Sequence, residues 1–353
     1  MLVLTECQAN LKLSILKTAT INDVARLAGV SIKTVSRVIN REPKVREETV
    51  AKVMEAARQL DYQPNQAARS LAGFKSFNIG YLYDNPNAYY VIDMQNGLLA
   101  ACREHGYELL IHPCDAFTGH IVEELTATVK RARLAGVVLT PPLSELPEVL
   151  HTLKDLEIPF VRIISGSKAP DQLSPCVMVD DHGAALEVTR HLLEQGHQQL
   201  AFFCGDTIHH STAERQSGFE EALRQFGLDP AQAAILPGRY AFDSGVANAR
   251  QVLAQTPRPT AIVAANDEIA AGALFACRLE GVRVPEDIAI AGFEDSPFSR
   301  QTWPPLTTAQ QPNSLIARRA AELLLASLRG DAKDNQLIFK PKLLKRDSTA
   351  RPA

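Results

Sequence analysis

The sequence predicts a small all-α head joined to a larger α/β body with parallel sheets. Three observations carry that expectation. Short amphipathic helical patterns follow one another between Thr20 and Leu60. From Phe77 onward, apolar strand patterns alternate with helical ones, the signature of successive β-α-β units. Charge is also split along the chain: Thr18–Lys75 holds ten Lys/Arg against six Asp/Glu, and Ser76 to the end holds 25 against 33. A basic head on an acidic body suggests an anionic partner for the head. The 353 residues suffice for two or three domains at about 150 residues each.

Composition narrows the class. Apolar residues make up 46% and charged residues 22%, which fits a globular chain and excludes collagen-like or low-complexity readings. No apolar run reaches the roughly 18 residues needed to span a bilayer. Six cysteines are scattered without a C-x-x-C pair, so neither a disulfide framework nor a zinc ribbon is expected, and a reducing cytosol is. Residues 1–17 lack a basic start and are interrupted by Glu6, Gln8, Asn10 and Lys12. They read as an extension, not a secretory signal.

The head begins at Thr20, which can cap a helix with Asp23 three residues on. Ile21, Val24, Ala25 and Ala28 share one face, and Gly29 ends the helix. Ser31 caps a second helix running to about Asn40, with Val35, Val38 and Ile39 as its apolar stripe. A third runs from Glu47 to Leu60 with Val50, Val53, Ala57 and Leu60 inward. Two short helices about a Gly-containing turn make a helix-turn-helix arrangement. Its second helix would expose Ile32, Lys33, Ser36 and Arg37, which could enter a major groove; the same charges would also suit a plain solvated face. Pro64 then biases Gln63 away from helix, and Asn65 can cap a short helix, Gln66–Leu71, ended by Gly73.

In the body, FNIGYLY, YELLIH, GVVLT, PFVRII, QLAFFC, AIVAA and IAIAGF read as strands. Helices are expected near Ile92–His105, Val122–Arg133, Gly183–Gln195, Ser211–Phe226, Val246–Gln255 and Ile269–Glu280. So many repeats exceed one comfortable open sheet, and two lobes are expected. Ligands of open α/β sheets sit beyond the carboxyl ends of strands. Asp84–Asn85, Thr140–Pro141, Cys204–Ser211, Asn266–Asp267 and Phe293–Asp295 occupy such positions.

The run TINDVARLAGVSIKTVSRVIN (Thr20–Asn40), followed by LDYQPNQAARSLAG (Leu60–Gly73), resembles the lactose-repressor family of bacterial transcription regulators. The likeness continues through roughly Thr18–Ala350. It implies that Ile32 and Lys33 choose the operator sequence and that Arg37 reads a base. It implies that Ser31, Thr34, Ser36 and Asn40 hold phosphates or backbone, with Thr20 in the same DNA-facing set. The segment from Asn65 becomes a hinge helix that folds on DNA, where Leu71 wedges into the minor groove beside Ala68 and kinks the duplex. Arg46 departs from the pattern, because a small capping residue often starts the third helix.

For the body, the resemblance implies a two-lobe periplasmic-binding-protein-like fold whose chain crosses between lobes near Ile164–Val179, Glu294–Pro312 and Leu337–Leu344. Trp303 with Pro304–Pro305 and Leu306–Pro312 matches the family's late crossover. The resemblance sends Arg215 to the effector and gives Asp267 the ligand's hydroxyls, with Tyr240, Phe242 or Phe293 as an apolar wall and Ser211 and Gln311 as further polar contacts. Each has a plainer alternative: Asp267 as a helix cap, Arg215 as a solvated residue, the aromatics as core. Gly292–Ser296 (GFEDS) departs from the usual G-F/Y-D-D by Glu294, an extra methylene that would shift a ligand or interlobe contact.

The domain layout read from the sequence is an extension at 1–17, a DNA-binding head at 18–63, a hinge at 64–75, an effector-binding and dimerisation body at 76–345 and a tail at 346–353. The expected function is a repressor whose operator affinity is controlled by a small molecule, with a carbohydrate the class the family favours and a purine, nucleoside or sugar acid as alternatives. Partners are double-stranded operator DNA, that effector and a second copy of the chain, since the C-terminal segment shows no tetramerising heptads. No membrane is expected, and the location is the bacterial cytoplasm, on the nucleoid. A solute-binding protein would have no use for the head. An enzyme is not expected, because P-loop, dinucleotide-loop, G-x-S-x-G and H-E-x-x-H patterns are missing. Paired Asp180–Asp181 reads as capping. His209–His210 sit side by side on one element and cannot converge on one ion, so neither metal nor cofactor is expected.

Overall fold

The computed structural model describes residues 19–39, 45–62, 76–168, 171–331 and 336–350. The chain divides into two compact units, Met1–Lys75 and Ser76–Ala353.

In the head, α1 (Ile21–Ala28), α2 (Ile32–Ile39) and α3 (Glu47–Gln59) fall where the apolar spacing places them. Val24, Ala25, Val35, Val38, Val53, Ala56 and Ala57 form one small core. Gly29 closes α1 in the left-handed region at φ 67°, a conformation that favours glycine, and Val30 N–H returns to the Ala25 carbonyl. That turn sets α2 off from α1. Arg46 precedes α3 without a side-chain cap, as its departure from the family pattern suggests.

The body holds two six-stranded sheets. In the first lobe, β1 (Asn78–Tyr83), β2 (Glu108–Pro113), β3 (Leu134–Leu139), β4 (Phe160–Ser165) and β5 (Cys176–Val179) pair in parallel. Helices α4 (Ala88–His105), α5 (Ile121–Ala132) and α6 (Pro147–Asp155) connect them. The second lobe holds β6 (Leu200–Phe203), β7 (Ala234–Leu236), β8 (Ala261–Ala264), β9 (Ala289–Glu294) and β10 (Thr307–Gln310). Its helices are α7 (Asp181–Glu194), α8 (His210–Gln225), α9 (Phe242–Leu253), α10 (Asp267–Leu279) and the short α11 (Pro297–Gln301). The chain then returns through α12 (Asn313–Arg329) and β11 (Gln336–Phe339) to the first lobe, and ends in the second with β12 (Lys342–Leu344). Strand order is β11-β5-β4-β3-β1-β2 in one sheet and β12-β10-β9-β8-β6-β7 in the other. The β10–β12 pair is antiparallel; the other ladders among the described residues are parallel.

Continuous apolar strands are what a sheet covered on both faces needs. One face of the first sheet packs Met94, Leu98, Ile316 and Leu324 from α4 and α12. The other packs Leu125, Val129, Val149 and Leu153 from α5 and α6. Helices α4 and α12 approach closely because Gly97 has no side chain: an added Cβ would lie 2.0 Å from the Ser314 carbonyl oxygen.

Two boundaries differ from expectation. The first crossing falls after β5, between Val179 and Asp181, at the far edge of the expected window, because Cys176–Val179 forms a buried strand of the first sheet. The supposed tail from residue 346 is part of the second lobe. Ser348 and Thr349 are buried; Ser348 Oγ donates to the Ile290 carbonyl and accepts the Thr307 amide. The hinge segment 64–75, with Asn65, Ala68 and Leu71, and likewise Asn40, lies outside the described residues.

Candidate DNA-reading face and effector cleft

Helix α2 presents two faces of different chemistry. Val35 and Val38 are buried, while Ile32, Lys33 and Arg37 are exposed. Ile32 is 50% exposed, as are Leu27 and, at 53%, Met54 in the same unit, and on this face an apolar side chain suits contact with a base edge. Ser31 Oγ accepts the Thr34 amide at 3.1 Å and lies 2.9 Å from Thr34 Oγ1. These two polar groups thus fix the start of α2, next to the side chains that would read DNA. Ser36 is partly buried beside them. Thr20 donates its amide and hydroxyl to Asp23 at 3.0 and 2.7 Å, closing the start of α1.

In the body, strand ends of both lobes meet over a cleft. Its inner chamber is lined by Asn85, Asn87, Tyr90, Ser165, Asp181, His209, Ser211, Arg215, Tyr240, Glu294 and Gln311. Arg215 stands at the centre, only 4% exposed. Its Nε donates to Asp181 Oδ1 at 2.8 Å, its Nη1 donates to the Ala265 carbonyl, and its Nη2 donates to Gln311 Oε1 at 3.4 Å. Glu294 lies 3.8 Å from Nη1, and the guanidinium carbon sits 3.7 Å from the Phe293 ring centroid, a cation–π distance. Burial alone would lower the Arg215 pKa, but Asp181, Tyr240 and Glu294 hold it above its ordinary value.

Glu294 joins the lobes. One oxygen accepts from Asn87 Nδ2 at 3.1 Å, and Asn87 also caps α4 through the Tyr90 amide. Burial pushes the Glu294 carboxyl up to about 7 against the pull of Arg215, with Asp181 adding to the rise. Glu294 and Asp295 are consecutive non-glycine residues in the left-handed region, φ 101° and 59°. Such strain is stable only when the surroundings fix it. Asp295 is fixed by Ser299, Gln310 and Arg346.

This inner chamber has a volume of only about 60 Å³. It opens past Asn85, His209 and Tyr240 to a chamber of about 420 Å³ walled by Tyr83, Asp84, Pro86, Cys114, Phe117, Asp206, Ile208 and Arg239. The larger volume is in the range of small-molecule sites. Asp84 also accepts the Ala116 amide at 2.9 Å. Tyr240 is positioned from below by Gly205, where an added Cβ would lie 2.2 Å from the ring.

The structure brings together Asp84, Asn85, Ser211, Arg215, Tyr240 and Gln311 from the expected set. It places three others elsewhere. Asp267 is fully buried inside the second lobe, accepting the Ser296 amide at 2.7 Å and the Thr308 hydroxyl at 2.6 Å. It is not the cap of α10, a role Asn266 fills by accepting the Ile269 amide. Burial pushes the Asp267 carboxyl up to about 8, against the Thr308 bond. Phe293 is a platform under Arg215, and Phe242 pairs with Phe275 at 5.6 Å; neither lines a chamber.

Asp206 and His209 line the chambers from within the expected stretch Cys204–Ser211, whereas sequence reasoning missed Asp181, Asn87 and Arg239 as cleft residues. The Asp180–Asp181 pair divides its labour: Asp180 caps α7 through the Gly183 amide, whereas Asp181 is buried against Arg215 and Ser165. The signal was present, because one carboxylate suffices for a cap. His209 packs edge-on to Tyr240 at 5.5 Å.

Two family models match the chain. Residues 20–65 match the bacterial regulatory proteins of the lacI family, and residues 189–349 match a periplasmic binding protein-like domain. The transcriptional repressor PurR of Vibrio cholerae serotype O1 is 31% identical over 335 residues, spanning 94% of this chain and 98% of that protein. The lac repressor dimer bound to operator and the anti-inducer ONPF superposes with a TM-score of 0.75 at 27% identity, covering 95% of this chain and all of that one. The transcriptional regulator CelR in complex with cellobiose gives a TM-score of 0.70 at 29% identity over 94% of this chain and 99% of that one. With a DNA-reading head and an effector-binding body in one chain, this protein is a transcription regulator and belongs to the lacI family of bacterial regulatory proteins.

Proposed function

We propose that the protein is a homodimeric repressor whose operator affinity is set by a neutral polyhydroxyl effector, a carbohydrate, bound in the cleft. The observation that carries the effector class is charge pairing. Arg215 is already matched by Asp181 at 2.8 Å, with Glu294 at 3.8 Å, so an anionic ligand would find no unmatched cation in the inner chamber. Hydroxyls both donate and accept, which suits the mixed rim of Asp84, Asn85, Ser211 and Arg239. Tyr83, Phe117 and Tyr240 offer flat apolar walls for a sugar ring. The cellobiose complex of CelR supports the same class.

Ile32, Lys33 and Arg37 would read base edges, and Ser31, Thr34 and Thr20 would hold phosphates; in a dimer, two such helices enter successive major grooves. Phe275 and Leu279 lie four residues apart on α10 and are 45% and 56% exposed, an apolar stripe suited to a subunit contact. The protein would work in the cytosol on nucleoid DNA: five described cysteines are free thiols, and no helix among the described residues is long and apolar enough to cross a membrane.

Calorimetric titration with neutral mono- and disaccharides, sugar acids, sugar phosphates and nucleobases tests the effector class. A neutral sugar should bind, and its acid analogue should bind at least about tenfold more weakly, a difference of ~1.4 kcal/mol. Tight binding of a sugar phosphate or a base, with no neutral sugar bound, would overturn the assignment.

A further inference from the structure

Beyond the cleft, the first lobe gathers three metal-ligating side chains of different types. His112 on β2 and Cys114 just after it are two residues apart, so extended backbone puts both on one side. Glu124 comes from the first turn of α5. The donor atoms of His112, Cys114 and Glu124 all lie within 4.8 Å of one another. His112 Nε2 and Glu124 Oε1 are 2.8 Å apart, and Thr128 Oγ1 is 3.3 Å from the same nitrogen.

We propose that His112, Cys114 and Glu124 form a binding site for a thiophilic divalent metal ion, zinc by chemistry, at the wall of the outer chamber. Imidazole nitrogen, thiolate sulfur and carboxylate oxygen are the ligands zinc takes, and the thiolate discriminates against magnesium and calcium. Three protein ligands leave a fourth position for water or another oxygen donor. Cys114 and Pro113 line the outer chamber, so the site borders the cleft.

The surroundings favour a cation: the Glu124 carboxylate belongs to the cluster, and Asp84 lines the same outer chamber as Cys114. On binding, the Cys114 S–H bond breaks, sulfur keeps the electron pair and donates it to the metal, and the proton leaves to solvent. His112 binds through Nε2 as neutral imidazole, giving up its hydrogen bond to Glu124. Affinity therefore rises with pH.

The full-length protein, stripped with chelator and kept reduced, is titrated with cobalt(II) and then zinc(II). The proposal expects one equivalent of cobalt per chain, a near-ultraviolet thiolate-to-cobalt band and its loss on adding zinc. Cys114→Ser should lose the band, and Glu124→Gln should weaken binding by about tenfold or more, the scale on which metal-site changes act. Cys7→Ser should leave both unchanged. Wild-type alkylation mapped by mass spectrometry avoids reliance on variants that fail to fold. Cys114 is half-buried, while Cys102, Cys176, Cys204 and Cys277 are buried, so zinc should slow alkylation at Cys114 selectively. The absence of stoichiometric cobalt uptake would overturn the site, as would an unchanged band in folded Cys114→Ser or alkylation of Cys114 indifferent to zinc.

Discussion

At the scale of single residues, Glu294 shows how one methylene changes a site. A longer carboxylate than the family's aspartate reaches Asn87 across the cleft while staying beside Arg215. Its raised pKa has a sign. Below pH 4.5 the group is protonated in the folded and unfolded chain alike. Between 4.5 and about 7 the unfolded chain has lost the proton and the folded chain keeps it. The folded state then binds more protons, so stability falls as pH rises through that window. Glu294→Gln should flatten this part of the fall, read as a smaller change in melting temperature between pH 4.5 and 7 than in wild type; an equal slope in both would remove Glu294 as its source. In the head, Arg37→Ala should cost about 1–3 kcal/mol of operator affinity and relax base discrimination, measured by competition with mutated operators. Asp267→Ala should destabilise the second lobe by about 1–3 kcal/mol, because the Ser296 amide and Thr308 hydroxyl lose their acceptor; chemical denaturation checks it.

At the scale of elements, most helices were legible, though Pro147–Asp155 and Asn313–Arg329 were not, nor were several short strands. The three head helices, and body helices such as α8, announce themselves through apolar spacing over several turns. Ala234–Leu236 and Lys342–Leu344 have three residues each, too few for any period to show. Cys176–Val179, also short and fully buried, lay inside the stretch read as a crossing and so displaced it to the strand's end. Strand ends pointed to Asp84, Asn85 and Ser211, and the family pattern to Arg215. The burial of Asp267 was not legible, because its partners Ser296 and Thr308 come from β9–α11 and β10, far along the chain. The cap of α2 yields a local test: Ser31→Ala should lower head stability by about 1 kcal/mol and weaken operator binding with it, whereas unchanged melting of the head would deny Ser31 the capping role.

At the scale of the whole molecule, two lobes share a cleft that charge pairs and interlobe hydrogen bonds hold together, and a separate head carries the helix proposed to read DNA. An effector shifts operator affinity only if it binds the DNA-competent and DNA-released states unequally, by about 1–3 kcal/mol for typical coupling. Asn87–Glu294, Ser165–Asp181 and the His210 amide to Glu145 are the contacts placed to differ between them, since in each one partner comes from each lobe. The most direct measurement is fluorescence anisotropy on the promoter fragment beside the protein's own gene, at fixed salt, with and without the sugar that calorimetry identifies. The expected result is tight, sequence-selective binding by the wild-type protein that changes about fivefold or more when that sugar is added. Selective binding that is indifferent to a sugar already shown to fill the cleft, or no selective binding with or without it, would contradict the coupling of cleft to head.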